Sequence, residues 1–421
     1  MSLGCSVLDK QVADWLAWDK NEKTLNEIRG LVEKKDVDGL KSRMSTRLVF
    51  GTAGVRSPMQ AGFGRLNDLT IIQITHGFAR HMIEVYGQPK TGVAIGFDGR
   101  HNSRRFAELA SNVFIRNNIP VYLFSEVSPT PVVSWATIKL GCDAGLIITA
   151  SHNPKEDNGY KAYWSNGAQI IGPHDDEIVR LKESEPQPRD EYWDLSQLRS
   201  SPLFHSADVV IDPYFEVEKS LNYYRELNQK TPIKFTYSAF HGIGHTMDKD
   251  GVSAAAVFAE IATYLRNEGK SLQDQLYSLY NKYGFHLVRS TYWFVPGPEV
   301  TKNLFATLRE NLKFPEKIGN EPVASVRDLT IGYDNSKPDN KPVLPLSTSS
   351  EMVTFFLKNG SITTLRASGT EPKIKYYIEL VTAPGKTQND LDSVIAELDQ
   401  LENDVVATLL RPQQFGLIPR K

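Results

Sequence analysis

The sequence predicts an α/β protein with a mixed parallel sheet covered by helices on both faces in its first domain, followed by a C-terminal α+β domain. Between residues 66 and 149, short apolar strands alternate with longer amphipathic helices. This alternation is typical of a parallel sheet with helices on both faces. Residues 298–421 instead show one helix, several strands and a closing helix. That order is typical of a compact α+β module.

The alternation of apolar strands and amphipathic helices predicts the secondary structure of the first domain. We predict helices over 66–86, 103–117 and 131–140, and strands over 92–97, 119–124 and 144–149. A polar helix over 9–35 precedes them, and its apolar residues recur with the spacing of one buried face. These residues are Trp15, Leu16, Leu25 and Ile28.

The rest of the chain is more varied. After residue 151 we predict strands over 160–164 and 168–171, a helix opening at Pro173, a linker over 181–206, helices over 214–227, 252–266 and 272–283, and a strand over 233–239. Near the C-terminus we predict strands over 361–365 and 374–380 and a helix over 388–409.

Composition excludes several classes of protein. The chain of 421 residues has 48 Lys and Arg against 50 Asp and Glu, so it lacks the basic excess of a non-specific nucleic-acid binder. Its two cysteines, Cys5 and Cys142, form neither a disulfide framework nor a zinc motif, which predicts a reducing compartment. The N-terminus lacks a signal-peptide pattern, and no apolar run approaches membrane-spanning length. We therefore expect a cytoplasmic protein that binds neither nucleic acid nor membrane.

The first candidate site is a loop that follows an apolar strand. Thr149 and Ala150 lead into Ser151, His152 and Asn153. Ligands of open α/β sheets bind beyond the carboxyl ends of strands, and a serine hydroxyl there can carry a phosphoryl group. His152 and Lys161 are near enough in sequence to shuttle protons. The loop lacks the G-x-S-x-G pattern of hydrolases, so acyl transfer is disfavoured. On residue types alone, a simple turn remains an equal alternative.

The second candidate site lies between the two predicted strands near the C-terminus. The sequence RASGTEPK over 366–373 combines an arginine, two hydroxyls, a glycine and a lysine. Arg366 offers paired donors to a phosphate, and Gly369 lets backbone N–H groups approach it. The alternative is a charged hairpin turn.

The remaining polar loops carry weaker signals. The sequence FGTAGVR over 50–56 is a flexible loop that brings in one cation, Arg56, and such a loop is more often only a connection. The segment 96–100 ends a strand with Asp-Gly-Arg, which we interpret as a turn rather than as a second wall of a cleft. His76 and His81 lie within a helix and are interpreted as packing or surface residues.

Together these motifs resemble those of a known family. FGTAGVR, TASHNPKEDNGYKAYW over 149–164 and RASGTEPK occur in the order seen in the α-D-phosphohexomutases, and the likeness is greatest to their cytosolic phosphoglucomutase/phosphopentomutase branch. The resemblance implies a phosphosugar mutase, which moves phosphate between the 1 and 6 or 1 and 5 positions of glucose or pentose phosphates. It also implies sugar phosphates as partners, a sugar bisphosphate as phosphorylating activator and Mg²⁺ as a cofactor.

The resemblance assigns roles to individual residues. It implies that Ser151 is the phosphoserine, which also contacts the metal through its phosphate, and that His152 and Lys161 act as general acid and base. Arg56 matches an active-site arginine. The residues that match the loop gripping the non-reacting phosphate are Arg366, Ser368, Gly369, Thr370 and Lys373.

The sequence departs from the family pattern in its middle. His241 to His245 resembles an early part of the family's second domain, yet the end of the third domain follows at once from Asp248. The aspartate loop that holds magnesium and the sugar-selecting loop are not found. Asp248 with Asp250, and Asp175 with Asp176, are interpreted as helix starts, because acids favour that end of a helix.

This departure predicts four segments. They are a phosphoserine-bearing domain over 1–205, remnants of the second and third domains over 206–247 and 248–296, and a C-terminal phosphate-binding domain over 297–421. It leaves two functions open, namely a mutase that lacks its usual metal loop, or a non-catalytic product that binds phosphosugars or a partner.

Overall fold

The chain folds into two compact units, Met1–Thr263 and Tyr264–Lys421. A computed structural model describes residues 6–48, 50, 54–151, 153–220, 225–234, 251–346, 350–368 and 372–420. The predicted four-segment division remains a prediction.

Three short helices form the N-terminal part of the first unit. They are α1 (Ser6–Trp18), α2 (Glu22–Glu33) and α3 (Val37–Met44). The prediction of one helix over 9–35 was wrong, because Asn21 caps α2: its side chain accepts a hydrogen bond from the Lys23 amide. Most of the predicted apolar face is nevertheless buried: Trp15 and Ile28 are fully inside, Leu25 is nearly so, and Leu16 is only partly buried.

A six-stranded sheet forms the centre of the first unit. Its strands are β1 (Val55–Pro58), β2 (Val93–Phe97), β3 (Val121–Leu123), β4 (Ala144–Ile148), β5 (Asp157–Trp164) and β6 (Phe204–Ser206). Their order is β1-β5-β4-β2-β3-β6. β4, β2, β3 and β6 are parallel, whereas β5 and β1 are antiparallel additions at one edge. The predicted mixed parallel sheet is confirmed.

Helices cover both faces of this sheet. They are α4 (Asp68–Tyr86), α5 (Ser103–Arg116), α6 (Thr130–Lys139), α7 (His174–Ser184) and α8 (Ile211–Ser220). Two further helices follow along the chain, α9 (Arg225–Lys230) and α10 (Gly251–Asn267), and the boundary between the two units falls within α10. Alternate residues of a strand point to opposite faces. Val93 and Ile95 accordingly belong to the core that contains α4 and α5 residues, while Ala94 belongs to the core that contains α6 residues.

Two predictions for the region after the serine need correction. The strand predicted over 168–171 is only a single bridge between Gln169 and Tyr163, whereas the strand predicted over 160–164 begins earlier, at Asp157. The linker predicted over 181–206 contains β6, which pairs with β3 and extends the sheet. The strand predicted over 233–239 lies mostly outside the described residues.

The second unit is built on an antiparallel sheet. Its strands are β7 (His286–Phe294), β8 (Lys317–Ile318), β9 (Glu321–Asp328), β10 (Tyr333–Asp334), β11 (Met352–Leu357), β12 (Ile362–Ala367), β13 (Lys373–Val381) and β14 (Ile418–Pro419). They are ordered β10-β9-β11-β12-β13-β7-β14, with β8 paired to β9. The helices are α11 (Leu272–Tyr283), α12 (Pro298–Arg309), α13 (Leu391–Val405) and α14 (Pro412–Phe415).

One face of the second sheet carries the core. Leu365 of β12 and Ile374 of β13 are fully buried together with Leu304 of α12 and Val394 of α13. The predicted α+β module is confirmed, although the sequence analysis missed β7. None of the described helices is long and apolar enough to cross a membrane.

Gly159 of β5 lies so close to the backbone of its neighbours that there is no room for a side chain. An added Cβ would lie inside contact distance of the Thr149 carbonyl oxygen and 2.9 Å from that of Val55. We expect Gly159→Ala to destabilise the first unit by about 1–3 kcal/mol, because backbone from both neighbouring strands must move. Urea unfolding followed by circular dichroism measures this change.

Gly30 provides the matched control, since it lies in α2 with nothing within 4 Å of its would-be Cβ. Gly30→Ala should leave stability unchanged or raise it by about 0.5–1 kcal/mol, because glycine is a poor helix residue. Equal midpoints for the two variants would contradict the proposed crowding at Gly159.

Candidate active site

The carboxyl ends of β2 and β4 bring two polar loops together in the first unit. Phe97 and Ile148, the last residues of these parallel strands, are register partners, and the Asp98 amide donates a 3.1 Å hydrogen bond to the Ile148 carbonyl. The loop that starts at Asp98 therefore lies beside the loop that contains Ser151. This is the edge of an α/β sheet at which ligands generally bind.

Ser151 has an unusual backbone conformation. Its φ is 57°, in the left-handed region that residues with a side chain rarely occupy. Its amide donates a 3.0 Å hydrogen bond to Oγ1 of Thr149, and the residue remains partly exposed. Left-handed residues other than glycine are uncommon and often lie at functional sites.

Lys161 reaches Ser151 because the chain reverses its direction after the serine loop, which is the connection between Ile148 at the end of β4 and Asp157 at the start of β5. β5 returns antiparallel to β4, which pairs Lys161 with Ile147. The Lys161 Nζ donates a 2.6 Å hydrogen bond to Oγ of Ser151, and Lys161 is only 6% exposed. A nearly buried ammonium thus contacts the hydroxyl directly.

Arg56 approaches the same hydroxyl from another strand. β1 pairs with β5, and this pairing sets Arg56 beside Gly159. Its Nη2 lies 3.4 Å from Oγ of Ser151, and its Nη1 donates a 3.2 Å bond to Oδ1 of Asn153. Although Arg56 is exposed as a residue, partial removal of its guanidinium from water lowers its pKa, and the charge of Arg100 lowers it further.

Two cations therefore meet at one serine oxygen. A phosphoserine carries about two negative charges near neutrality, and ionised donors form the strongest hydrogen bonds to its oxygens. Of the three residues predicted to be catalytic, the structure brings Ser151 and Lys161 together and adds Arg56. His152 lies outside the described residues, as do Gly51 to Ala53 of the N-terminal loop.

Arg100 is a site residue that the sequence analysis missed. Its guanidinium lies behind the serine loop and donates hydrogen bonds to four carbonyl oxygens of that loop. The sequence showed only Asp-Gly-Arg after a strand, which is equally a turn signal. Nothing in the local pattern reveals that the side chain reaches a loop some fifty residues ahead.

The C-terminal anion loop belongs to the second unit. Arg366 lies on β12 and is exposed, and its cross-strand partner is Lys375. At the mouth of the loop, the Ser368 amide donates a 2.9 Å bond to the Lys373 carbonyl, and Nζ of Lys373 lies 4.4 Å from the centre of the Tyr292 ring. The two strands predicted on either side of the loop are therefore present as β12 and β13, with Arg366 and Lys373 next to the loop. Binding of a phosphate by this loop stays a prediction, and Gly369 and Thr370 lie outside the described residues.

The described residues do not offer a magnesium site. They contain no group of three or more His, Cys, Asp or Glu side chains that could hold a metal ion. Asp175 lies at the start of α7, where its Oδ1 accepts a 3.1 Å hydrogen bond from the Asp176 amide and burial raises its pKa. It therefore acts as a helix start, as predicted. Asp248 and Asp250 lie outside the described residues.

Comparisons with known proteins show which proteins the chain is similar to. The family model for phosphoglucomutase/phosphomannomutase, alpha/beta/alpha domain I, matches residues 47–189. A human phosphopentomutase is 31% identical in an alignment that covers 98% of this chain and 97% of that protein. A human glucose 1,6-bisphosphate synthase is 30% identical, with 98% and 96% covered.

A solved structure shares the fold. The crystal structure of the exocytosis-sensitive phosphoprotein pp63/parafusin, a phosphoglucomutase from Paramecium in its open form, matches with a TM-score of 0.56 and 14% identity. The match covers 86% of this chain and 96% of that one.

The alignment with the phosphopentomutase also shows a difference in length. It extends over 598 positions, whereas this chain has 421 residues. Since the alignment covers nearly all of both proteins, most of the positions without a counterpart here lie inside the relative rather than at its ends.

The left-handed backbone of Ser151 generates a test that is independent of activity. Ser151→Gly and Ser151→Ala both remove the hydroxyl, but only alanine keeps a Cβ that is strained at this φ. We expect the glycine variant to be more stable by up to about 1 kcal/mol, measured by urea unfolding.

Ser42, an exposed residue within α3, is the matched control. At this helical position the order should reverse, with Ser42→Gly less stable than Ser42→Ala by up to about 1 kcal/mol. If alanine is preferred at both positions, Ser151 does not have the left-handed conformation.

Proposed function

Because the chain belongs to the α-D-phosphohexomutase family, we propose that it is a phosphosugar mutase that carries the transferred phosphoryl group on Ser151. The observation that carries this proposal is the convergence of Lys161 and Arg56 on one serine oxygen, at 2.6 Å and 3.4 Å. The reaction would move phosphate between the 1 and 6 positions of a glucose phosphate or the 1 and 5 positions of a pentose phosphate. Relatives named phosphopentomutase and glucose 1,6-bisphosphate synthase support this class of substrate.

The first transfer uses the residues around Ser151. A sugar hydroxyl attacks the phosphorus of phospho-Ser151, the bond from phosphorus to Oγ breaks, and a bond from phosphorus to the sugar oxygen forms. Lys161 already donates to Oγ, so it can supply the proton that this leaving oxygen needs. The proton of the attacking hydroxyl passes to a base, a role that the family resemblance gives to His152.

The second transfer needs the bisphosphate to turn around. Its other phosphate returns to Ser151, so the serine ester is regenerated and the isomeric monophosphate leaves. During each transfer the non-reacting phosphate has to be held, and we assign this role to the loop formed by Arg366, Ser368, Gly369, Thr370 and Lys373. Positioning of this kind supplies much of the rate enhancement in phosphoryl transfer.

Family membership suggests a sugar bisphosphate activator and Mg²⁺. The bisphosphate would phosphorylate Ser151 at the start of catalysis. The metal would offset phosphate charge, but the described residues do not present its ligands, so the steps above use only protein groups. We place the gap in the alignment with the relatives between Met247 and Asp248, which would leave remnants of the second and third domains on either side.

A reducing, cytoplasmic location fits the cysteine chemistry. Cys142 is a buried free thiol, and burial raises its pKa to about 12. Such a thiol is unreactive near neutrality, because the thiolate is the reactive form.

The proposed carrier role predicts a covalent adduct. Incubation with glucose 1,6-bisphosphate should add one phosphoryl group to the protein, detected by intact-mass spectrometry and located on Ser151 by peptide fragmentation. Ser151→Ala should abolish the adduct, and Lys161→Met should slow its formation by at least about 100-fold, because it removes the proton donor.

Ser165 follows the last residue of β5, and its side chain hydrogen-bonds to Tyr86. Ser165→Ala serves as the control that should be phosphorylated like the unmodified protein. An adduct that persists in Ser151→Ala, or no adduct on the unmodified protein, contradicts the carrier role.

A second function is favoured by the shorter length of this chain relative to the alignment, and by the lack of a metal-ligand cluster among the described residues. In this alternative the chain binds phosphosugars, or a partner, without turning them over. It predicts that calorimetry detects binding of glucose 1-phosphate, that Arg366→Ala weakens the binding at least about tenfold through loss of a charged phosphate contact, and that a coupled assay shows no isomerisation.

Lys358→Ala, on an exposed turn of the second unit, is the charge-matched control and should leave the affinity unchanged. Turnover that increases with added Mg²⁺ excludes the alternative and favours the mutase.

A further inference from the structure

The guanidinium of Arg100 hydrogen-bonds to the backbone of the serine loop. Its Nη2 donates to the carbonyls of Ser151 and Asn153, both at 2.8 Å. Its Nη1 donates to the carbonyls of Pro154 at 2.7 Å and Asp157 at 3.1 Å. One side chain thus binds four carbonyls of the segment that carries the serine.

Asp98 fixes Arg100 from the other side. Its Oδ2 lies 3.2 Å from Nε of Arg100, and both side chains are at most 1% exposed. Its Oδ1 accepts the Arg100 amide at 3.0 Å and the Ser103 hydroxyl at 2.6 Å. The arginine is therefore held by a hydrogen bond at its backbone amide and by a buried ion pair at its guanidinium, which restricts the two nitrogens that bind the loop.

The loop needs such a cation for a physical reason. Four carbonyl oxygens that converge on one place repel each other, and a buried cation that donates a hydrogen bond to each of them offsets this cost. Ser151, at one end of this loop, also has the strained φ of 57°. Such a conformation persists only where the surroundings over-determine it. The backbone bonds from Arg100 provide that constraint.

We propose that Arg100 is the positioning residue of the serine loop: by binding the four carbonyls while Asp98 holds it, Arg100 keeps Ser151 in the left-handed conformation that presents Oγ to Lys161 and Arg56. The functional part of this inference rests on the proposed phosphoryl transfer. Arg100 donates to the Ser151 carbonyl, not to Oγ, so it acts on the reaction through the backbone.

The planar fork of arginine is essential to this role. Lysine keeps the positive charge but presents a single ammonium on a flexible stem, so it cannot reproduce two nitrogens that each bind a pair of carbonyls. Arg100→Lys therefore separates the geometry of the fork from the charge. Asp98→Asn keeps the fork and an acceptor for the Arg100 amide but removes the counter-charge, and it is expected to have an intermediate effect.

The test combines hydrogen–deuterium exchange with single-turnover phosphorylation of the full chain by glucose 1,6-bisphosphate. In Arg100→Lys, we expect the Asn153 and Asp157 amides, which bond to the Ala150 and Pro154 carbonyls within the loop, to exchange at least about tenfold faster. The maximum rate of Ser151 phosphorylation should fall on the order of 100-fold, as expected for a misplaced reacting group. The bisphosphate concentration at half-maximal rate should change less than about threefold, because Arg100 does not touch the ligand.

Arg104→Lys is the matched control. Arg104 lies on α5, and its exposed side chain pairs with Glu126 at 3.1 Å, so neither exchange nor phosphorylation should change. Exchange and phosphorylation rates in Arg100→Lys equal to those of Arg104→Lys overturn the proposal. So does a rate loss with unchanged exchange, which would mean that Arg100 affects the reaction by a route other than the position of the loop.

Two further outcomes remain informative. If Arg100→Lys does not fold, Asp98→Asn takes its place, and unchanged loop exchange in that variant overturns the proposal. If the unmodified protein accepts no phosphoryl group, the proposed function fails, while the exchange measurements still decide whether Arg100 holds the loop.

Discussion

The site depends on the antiparallel return of β5 along β4. After Ile148 the chain leaves the parallel part of the sheet, forms the serine loop, and returns with Tyr160 opposite Ile148. Tyr160 is fully buried, so the register cannot slip by one residue without moving this ring to the wrong face. The same register sets Lys161 beside the loop it has just left. The packing of Tyr160 at the sheet edge thus determines the position of the Lys161 ammonium group.

This arrangement explains why cations can be concentrated in a small volume. Arg56, Arg100 and Lys161 come from three separate strands or loops, and each is held by a different set of partners. The charge of Arg100 is satisfied by Asp98 and by backbone carbonyls, whereas Arg56 and Lys161 point at the Ser151 oxygen. One cation therefore stabilises the protein loop, and two are directed to the place where negative charge would accumulate. Electrostatic groups that are fixed before the reaction need no reorganisation during it.

Much of this fold could be predicted from the sequence, because continuous apolar runs mark buried parallel strands such as β2 and β4. The direction of β5 could not be predicted, because the sequence DNGYKAYW is compatible with a parallel or an antiparallel strand. Only the pairing of β5 with β4 determines its direction. β7 was missed because the polar residues Arg289, Ser290 and Thr291 interrupt its apolar pattern. At the site, the sequence around the serine predicted Ser151 and Lys161 and the family resemblance added Arg56, whereas the role of Arg100 depends on a tertiary contact that no local pattern encodes.

The two halves of the proposed reaction place different demands on the chain. To hold a phosphoserine, the protein must balance about two negative charges, and Arg56 with Lys161 supplies two positive charges within one unit. To complete an isomerisation, it must also hold the far phosphate through two successive transfers, which is the role proposed for the Arg366 loop. The first demand depends on the register of a few strands and on Arg100. Under the proposed function, the aligned positions that have no counterpart in this chain therefore bear more on the isomerisation than on the phosphorylation of Ser151.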